Sequence, residues 1–228
     1  MLLGLPITWA LGGACICAIF LDPALSFAMI TQKIFTGCDN FSMLALPAFF
    51  LAGDIMSKGG LSKRLVAFAD SFVGWISGGI SLVSIVACTF FAAISGSSVA
   101  TTAAIGGLMY PEMVKRGYPK DYAAAVQAIG GTLGIVIPPS TVFVIYGNIT
   151  GVSVAKLLMA GVLPGILCGI LLCVYAFYKA KKCDFPKEAG FSFKRFLLSF
   201  KDAVWALIMP IVILGGIYAG IFTPTESA

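Results

Sequence analysis

The sequence predicts an all-α polytopic membrane protein, on the strength of its composition and the spacing of its charges. Of its 228 residues, 59% are hydrophobic and only 11% are charged, whereas soluble domains average about 25% charged residues. The charges cluster between apolar runs of roughly 17 to 24 residues, the length that a helix needs to cross a bilayer. A soluble single-domain fold is therefore excluded.

Apolar runs and helix breakers define the predicted elements. The predicted spans are 2–21, 41–57, 79–94, 98–114, 121–147, 155–178 and 203–221. Two further stretches, 61–76 and 191–200, carry apolar residues at helical spacing and charged residues on the opposite side. This pattern is typical of helices that lie in the membrane interface, although an arm that contacts another protein would show the same pattern.

Basic residues orient the predicted bundle. Of the 15 basic residues, all but Lys33 and Lys156 fall in three connecting regions. These residues are Lys58, Lys63, Arg64, Lys115, Arg116, Lys120, Lys179, Lys181, Lys182, Lys187, Lys194, Arg195 and Lys201. Because Lys and Arg are enriched on the cytoplasmic side, we expect a cytoplasmic N-terminus, with residues 22–40 and 147–154 on the opposite side.

The segment 79–114 is predicted to be a helical hairpin. Its two apolar runs are joined by ISGSSVATTAAIGG (94–107), which has no charge and is rich in Ser and Thr. Irregular backbone at membrane depth is tolerated where it lines a cavity or is buried in protein. A re-entrant hairpin is therefore favoured over a pair of helices that crosses and returns. We expect its first helix to end near 93–95 and its second to begin near Ser97 and Ser98, which suit an N-cap.

A second discontinuity lies in AIGGTLGIVIPPS (128–140). Gly costs about 1 kcal/mol and Pro about 3 kcal/mol relative to Ala in a helix interior, so a helix that only crossed lipid would gain nothing from them. We expect this helix to lose its hydrogen-bond ladder at Gly130, Gly131 and Gly134. A second helix should then begin with Pro139 in its first turn.

The two discontinuities together predict a transport site. Each supplies a C-terminal end whose carbonyls can coordinate Na⁺ and an N-terminal end whose N–H groups can hold an anion. Secondary transporters build their midplane sites from such discontinuous helices.

The sequence lacks the residues that metal sites and enzymatic catalysis would require. The chain has no histidine, which removes His-based zinc sites, Ser-His-Asp catalysis and histidine proton relays. The seven cysteines show no metal-ligand spacing and are interpreted as packing residues.

Asp54, Glu112 and Asp121 lie at span ends beside basic residues, where solvated ion pairs are expected. No carboxylate lies deep in a span, which favours sodium over protons and disfavours an intramembrane enzyme. The hydroxyls of Thr101 and Thr102 can be ligands or can bond to carbonyls of their own helix.

At these residues the chain resembles the large membrane subunit of tripartite ATP-independent periplasmic (TRAP) transporters. The matching stretches are LPAFFLAGDIMSKGGLSKRLVAFA (46–69), AAISGSSVATTAAIGGLMYPEMVKRGYPKDYAAAV (92–126), GGTLGIVIPPSTVFVIYG (130–147) and IFTPTESA (221–228). They run through nearly the whole chain, and ISGSSVA followed by GTLGIVIPPS at this spacing is specific.

The resemblance implies a function, partners and a location. Members of this family import organic acid anions, often C4-dicarboxylates or sialic acids, with a sodium gradient, so Na⁺ is the expected coupling ion and no cofactor or other metal is expected. A periplasmic substrate-binding protein delivers the substrate, and a small membrane subunit accompanies the large one in the lipid bilayer. No nucleic acid and no enzymatic activity are expected, and the implied location is the bacterial inner membrane. An anion channel or a structural membrane subunit are the alternatives.

The elevator motion of the family implies a division of the chain. Residues 1–76 would form scaffold-type spans plus an interfacial helix, 77–150 a transport-type unit with hairpin 79–114 and broken helix 121–147, and 151–228 scaffold-type spans with an interfacial arm at 191–200. The family's large subunit has two inverted repeats, each with a hairpin and a broken helix. This chain has one of each, so we expect a partial chain from which the second repeat is absent.

The resemblance also implies which residues form the site. Sodium would be surrounded, largely through backbone carbonyls, by Ser95, Gly96, Ser98, Gly131, Gly134, Val136 and Pro139. The substrate would lie nearer to Ser97, Thr101, Pro138, Ser140 and Thr141.

Overall fold

The computed structural model describes residues 6–21, 26–39, 45–183, 185, 190, 192–223 and 226. Within these residues the secondary structure is α-helical, which confirms the predicted fold class. The helices are α1 (Ile7–Leu21), α2 (Phe27–Cys38), α3 (Ala45–Lys58), α4 (Leu61–Val73), α5 (Gly79–Ser95), α6 (Ser98–Lys115), α7 (Lys120–Val136), α8 (Thr141–Thr150), α9 (Val154–Lys182) and α10 (Phe193–Tyr218). Some predicted positions lie outside the described residues. They are the first residues of two predicted spans (2–5 and 41–44), Lys187, and residue 191 of the predicted arm.

Helix α5 lies at the centre of the packed helices. Its sequence, GISLVSIVACTFFAAIS, is predominantly apolar, and 13 of its 17 residues are buried, as expected for a helix with apolar residues around most of its circumference. Its side chains Cys88 and Phe91 are fully inaccessible to solvent. Helices α4, α6, α7 and α9 pack around it. Both the second hairpin helix and the broken helix are therefore positioned on α5.

Gln127 joins the hairpin to the broken helix inside this apolar core. Its Oε1 accepts a hydrogen bond from Ser84 Oγ of α5 (2.8 Å), and its Nε2 donates to Met113 Sδ of α6 (3.3 Å). Both Gln127 and Ser84 are buried. Sliding one helix along another would leave these buried polar groups unpaired. The bonds therefore hold α5, α6 and α7 in one register.

The structure corrects the predicted position of the helix break. Helix α7 continues through the three glycines expected to interrupt it and ends at Val136. The Ile137 N–H still donates to the Leu133 carbonyl oxygen (2.8 Å). Glycine weakens a helix but keeps its N–H donor, so the ladder passes through these positions. The break lies at residues 137–140 instead.

The start of the second half of the broken helix also differs from the prediction. Ser140 is the N-cap and α8 begins at Thr141, so Pro139 precedes the helix instead of lying in its first turn. Pro138 and Pro139 provide no N–H donor, which ends the ladder of α7. The two halves, α7 and α8, are bent by 43°.

The predicted arm at 191–200 is not a separate helix. Helix α10 runs without interruption from Phe193 to Tyr218 and combines the arm with the predicted span 203–221. No Gly or Pro occurs before Pro210, so nothing breaks the ladder between the two. The expected helix at 191–200 is confirmed from residue 193 onward, and its separation from the last span is wrong.

Helix α2 lies in a segment that was expected to be a connection. Ser26 caps it, and its Oγ accepts from the Met29 N–H (3.4 Å). The sequence FAMITQKIFTGC contains Thr, Gln and Lys, and its 12 residues are too few for a span. The helix packs on α1, where Phe20 and Phe27 make an edge-to-face contact with 6.0 Å between ring centroids.

Helix length and hydropathy agree with a polytopic membrane protein. Among the described helices, α9 and α10 are each long and apolar enough to cross a membrane, and α7 with α8 qualifies as a bent pair. Helices α1 and α5 are apolar but shorter. The depth to which the pair α5–α6 enters a membrane and the orientation of the N-terminus stay predictions.

We expect Ser84→Ala to lower the free energy of unfolding by about 0.5–1.5 kcal/mol, because Gln127 Oε1 loses its buried donor. Thermal unfolding in mild detergent measures this change. Ser71→Ala is the matched control, since this buried hydroxyl bonds only to the Phe68 carbonyl of its own helix (2.7 Å). Equal effects of the two substitutions would show that the bond to Gln127 contributes no more to stability than a hydroxyl bond within one helix.

Candidate functional site at the hairpin tip and the helix break

The hairpin tip is a turn of two residues between α5 and α6. Gly96 adopts a left-handed conformation, with φ of 59°, which glycine populates at no steric cost. Its N–H donates to the Ala92 carbonyl of the last turn of α5 (3.0 Å). Ser97 caps α6 and accepts from the Ala100 N–H (3.4 Å). The predicted helix end and the predicted N-cap are both confirmed.

The tip touches the helix break directly. The Gly96 carbonyl accepts one hydrogen bond from the Thr141 N–H (3.2 Å) and a second from the Thr141 hydroxyl (3.1 Å). A Cβ at Gly96 would lie 2.4 Å from the Pro139 carbonyl oxygen. The first N–H groups of a helix have no acceptor within it, so Gly96 supplies the acceptor that the start of α8 requires. Only glycine fits between the two backbones at this point.

Two glycines of α7 bring the broken helix against the start of α6. A Cβ at Gly134 would lie 2.5 Å from the Ser97 carbonyl oxygen. A Cβ at Gly131 would lie 1.8 Å from Thr102 Oγ1 and 3.3 Å from the Ser98 carbonyl oxygen. Small residues permit this close approach between membrane helices. The glycines that were expected to end the helix therefore form its contact surface with the hairpin.

The threonine hydroxyls of α6 bond within their own helix. Thr101 Oγ1 donates to the Ser97 carbonyl and Thr102 Oγ1 to the Ser98 carbonyl, each at 2.8 Å. Thr101 Oγ1 also lies 2.9 Å from Ser95 Oγ. Of the two interpretations left open by the sequence, the structure shows the intrahelical one.

Ser140 and Val136 differ in their relation to the junction. Ser140 Oγ donates to the Ile135 carbonyl (2.8 Å) and so provides a partner for one of the last carbonyls of α7. The Val136 carbonyl oxygen lies 2.9 Å from the position that a Cβ of Gly161 would take, so it faces α9. The other residues expected to form the site lie at the tip, at the break or on the glycine surface between them.

The junction contains polar groups without any ionisable side chain. Residues 94–107 and 128–150 carry no Asp, Glu, Lys or Arg, and Ser95, Thr101, Ser140 and Thr141 are all buried. Carbonyl oxygens are the ligands that hard cations such as Na⁺ take, and uncapped N–H groups can hold an anion. The arrangement therefore provides both kinds of ligand without a buried charge.

A cavity of about 170 Å³ opens beside the tip, and helix α3 forms part of its wall. Its lining residues are Phe50, Gly53, Asp54, Ser95, Ser97, Ala100 and Ala103. No residue of α3 was expected to form the site. Gly53 is the sequence feature of α3 that could have indicated this contact, because a small residue permits close packing. A Cβ added at Gly53 would lie 3.7 Å from the Ser95 Cα.

Two predicted solvated ion pairs are present. Asp54 Oδ2 lies 2.7 Å from Lys58 Nζ, and both side chains are more than half exposed. Glu112 pairs in the same way with Arg116, at 2.9 Å. Their exposure agrees with the interpretation of these carboxylates as surface groups.

The chain is similar to known proteins along its whole length. Residues 1–228 match the family model described as "Tripartite ATP-independent periplasmic transporter, DctM component". The chain is 44% identical over 229 residues to the C4-dicarboxylate TRAP transporter large permease protein DctM of Vibrio cholerae, covering 100% of this chain and 51% of that protein.

Other relatives have names that differ in substrate. The isethionate TRAP transporter permease protein DctMQ of Oleidesulfovibrio alaskensis is 44% identical, over 100% of this chain and 36% of that protein. The 2,3-diketo-L-gulonate TRAP transporter large permease protein YiaN of Escherichia coli is 40% identical, over 99% of this chain and 53% of that protein. The chain spans about half the length of most of the curated relatives it matches.

We expect Gly134→Ala to lower the free energy of unfolding by about 1–3 kcal/mol, because its methyl group meets the Ser97 backbone carbonyl, which cannot rotate away. Thermal unfolding measures the change. Gly107→Ala, in α6, is the control: nothing lies within 4 Å of its added Cβ, so helix propensity should leave stability unchanged or raise it by up to about 1 kcal/mol. A Gly134→Ala protein as stable as the Gly107→Ala protein would contradict the close approach.

Proposed function

Because the chain belongs to the DctM component family of tripartite ATP-independent periplasmic transporters, we propose that it forms part of a sodium-coupled importer of organic acid anions. The observation that supports this most is the uncharged junction between the hairpin tip and the helix break. Its carbonyl oxygens suit a hard cation, and the adjacent start of α6 offers N–H groups to an anion. The protein would act as a membrane permease and not as an enzyme.

The proposed sodium site lies on the α6 side of the junction. The Gly96 carbonyl already accepts two hydrogen bonds from Thr141, which uses both of its lone pairs. Gly96 would therefore shape the site by allowing the contact, and the proposed ligands are the Pro139 carbonyl and the Ser98 hydroxyl, since the Ser98 carbonyl accepts from Thr102 Oγ1. Val136 is a weaker candidate, since its carbonyl faces α9.

The proposed substrate site is the cavity beside the tip. It borders the first turn of α6, where Ser97 and Ala100 are lining residues, and the positive end of the helix dipole would attract a carboxylate. The charge of Asp54 at the cavity edge is paired with Lys58, which reduces its repulsion of an anion. Substrates of the kind in the relatives' names, C4-dicarboxylates, isethionate and diketogulonate, share a small size and negative charge.

The proposed setting is the bacterial inner membrane with the N-terminus in the cytoplasm. A periplasmic binding protein would deliver the anion, and a small membrane subunit would accompany this chain. The contacts among α5, α6 and α7 support movement of this unit as one body, as an elevator mechanism requires, because the Gln127 hydrogen bonds tie the three helices together.

The test is uptake of radiolabelled succinate by proteoliposomes that contain the whole natural transporter with its binding protein. We expect uptake to require an inward Na⁺ gradient and to stop when choline replaces Na⁺. Uptake that is equally fast in choline would contradict sodium coupling. Uptake that follows the membrane potential alone would favour an anion channel.

A variant locates the sodium site within the same assay. We expect Ser98→Ala to raise the Na⁺ concentration for half-maximal uptake about tenfold or more, since losing one oxygen ligand to a cation resembles losing a charged hydrogen bond, about 1.5–3 kcal/mol. Thr132→Ala is the control, because its exposed hydroxyl bonds only to the Ile129 carbonyl of α7 (2.6 Å). An unchanged sodium requirement in the Ser98→Ala protein would place the ion elsewhere.

A further inference from the structure

A second cavity, separate from the junction, lies between α4, α5, α6 and α10. Its volume is about 380 Å³. Its inner wall is apolar and buried, formed by Ile80, Val83 and Met109. Its outer edge is charged and contains Lys63, Asp70, Glu112, Arg116 and Arg195. A cavity with an apolar base and a charged edge has the amphipathic character of a lipid headgroup with its glycerol.

The basic residues at this edge differ in their ion pairing within the described part of the chain. Arg195 of α10 pairs with Asp70 of α4, and Arg116 pairs with Glu112 one turn away in α6. Among the described residues, no carboxylate lies within ion-pair distance of Lys63. Lys63 is therefore a cation of this edge that has no carboxylate partner among the described residues.

The donors at this edge point to a phosphate ligand. Lys63 and Asp70 are seven residues apart on α4 and so lie on the same helix face, about 10 Å apart along its axis, and Lys63 and Arg195 both line the cavity. A guanidinium has five N–H donors, and Arg195, whose side chain is 60% exposed, pairs with Asp70 through Nη2. One ammonium and one partly engaged guanidinium match the oxygens and the single charge of a phosphodiester.

The position of the cavity distinguishes a lipid from a soluble anion. Its basic residues, Lys63, Arg116 and Arg195, belong to the three basic regions that the sequence predicts at the cytoplasmic face. Headgroups of the inner leaflet lie at this face. Phe72 and Trp75, at the end of α4, are about half exposed, and exposed aromatic rings are typical of the membrane interface.

We propose that this cavity binds the headgroup of an anionic phospholipid of the phosphatidylglycerol class, with its phosphate held by Lys63 and Arg195. The single negative charge of the phosphate pairs with the Lys63 ammonium. The apolar inner wall of the cavity contacts the glycerol and the first acyl carbons. The bound lipid joins α4 and α10 to the hairpin helices α5 and α6 at their charged ends.

The test is lipid retention by the whole natural protein, measured by native mass spectrometry after equilibration with phosphatidylglycerol. We expect Lys63→Gln to weaken retention about fivefold, the effect of one basic residue near an anionic lipid. Arg64→Gln is the matched control, since the neighbouring residue is also basic and exposed on α4 but does not line the cavity. It should change retention less than twofold, and Lys63→Arg should keep it near the wild-type level.

Three results would overturn the proposal. The first is equal loss of lipid from the Lys63→Gln and Arg64→Gln proteins, which would indicate a diffuse basic surface. The second is retention of phosphatidylethanolamine as strong as that of phosphatidylglycerol, since the net charge would then not matter. The third is displacement of the lipid by millimolar glycerol 3-phosphate, which would identify a site for a soluble phosphate ester.

Discussion

The hydrogen bonds from Thr141 to the Gly96 carbonyl are the contact on which the arrangement of the hairpin and the broken helix depends. A chain that interrupts two helices within an apolar region must supply partners for the backbone groups that are released. Here the tip of one interruption supplies the acceptor for the other. Each break is stable because the other is beside it, which explains why both are needed.

This contact limits the residues around it. Gly96 and Gly134 have no room for a Cβ because backbone carbonyls lie against them, and Gly131 has none because the Thr102 side chain does. The hydroxyls of Ser140, Thr101 and Thr102 bond to nearby carbonyls, so polar side chains add partners without adding charge. The result is a polar junction that contains no ionisable side chain.

Helix α5 and Gln127 connect this local geometry to the rest of the protein. Because 13 of the 17 residues of α5 are buried, its position is set mainly by the helices packed around it. Ser84 and Gln127 then set the register of α7 on α5, about three turns from the break. This register brings the tip and the break together.

The sequence predicted the helical class, the tip and the existence of the break, because these follow from hydropathy, from Ser N-caps and from paired prolines. It placed the break too early, since Gly131 and Gly134 can either end a helix or form a contact surface. Only the neighbouring Ser97 carbonyl and Thr102 hydroxyl distinguish these roles. The role of α3 in the cavity and the direction of the Val136 carbonyl could not be predicted, because both depend on long-range packing and leave no local pattern.

The most direct test of this account is a double-mutant cycle between Gly131→Ala and Thr102→Ala, measured as free energies of unfolding. An added Cβ at Gly131 would lie 1.8 Å from Thr102 Oγ1, and Thr102→Ala removes that oxygen. The account predicts that Gly131→Ala costs at least about 1 kcal/mol less in the Thr102→Ala background than in the wild type, a coupling typical of residues in contact. Costs that are the same in both backgrounds, within about 0.5 kcal/mol, would mean that the broken helix does not pack against the hairpin and would contradict the account.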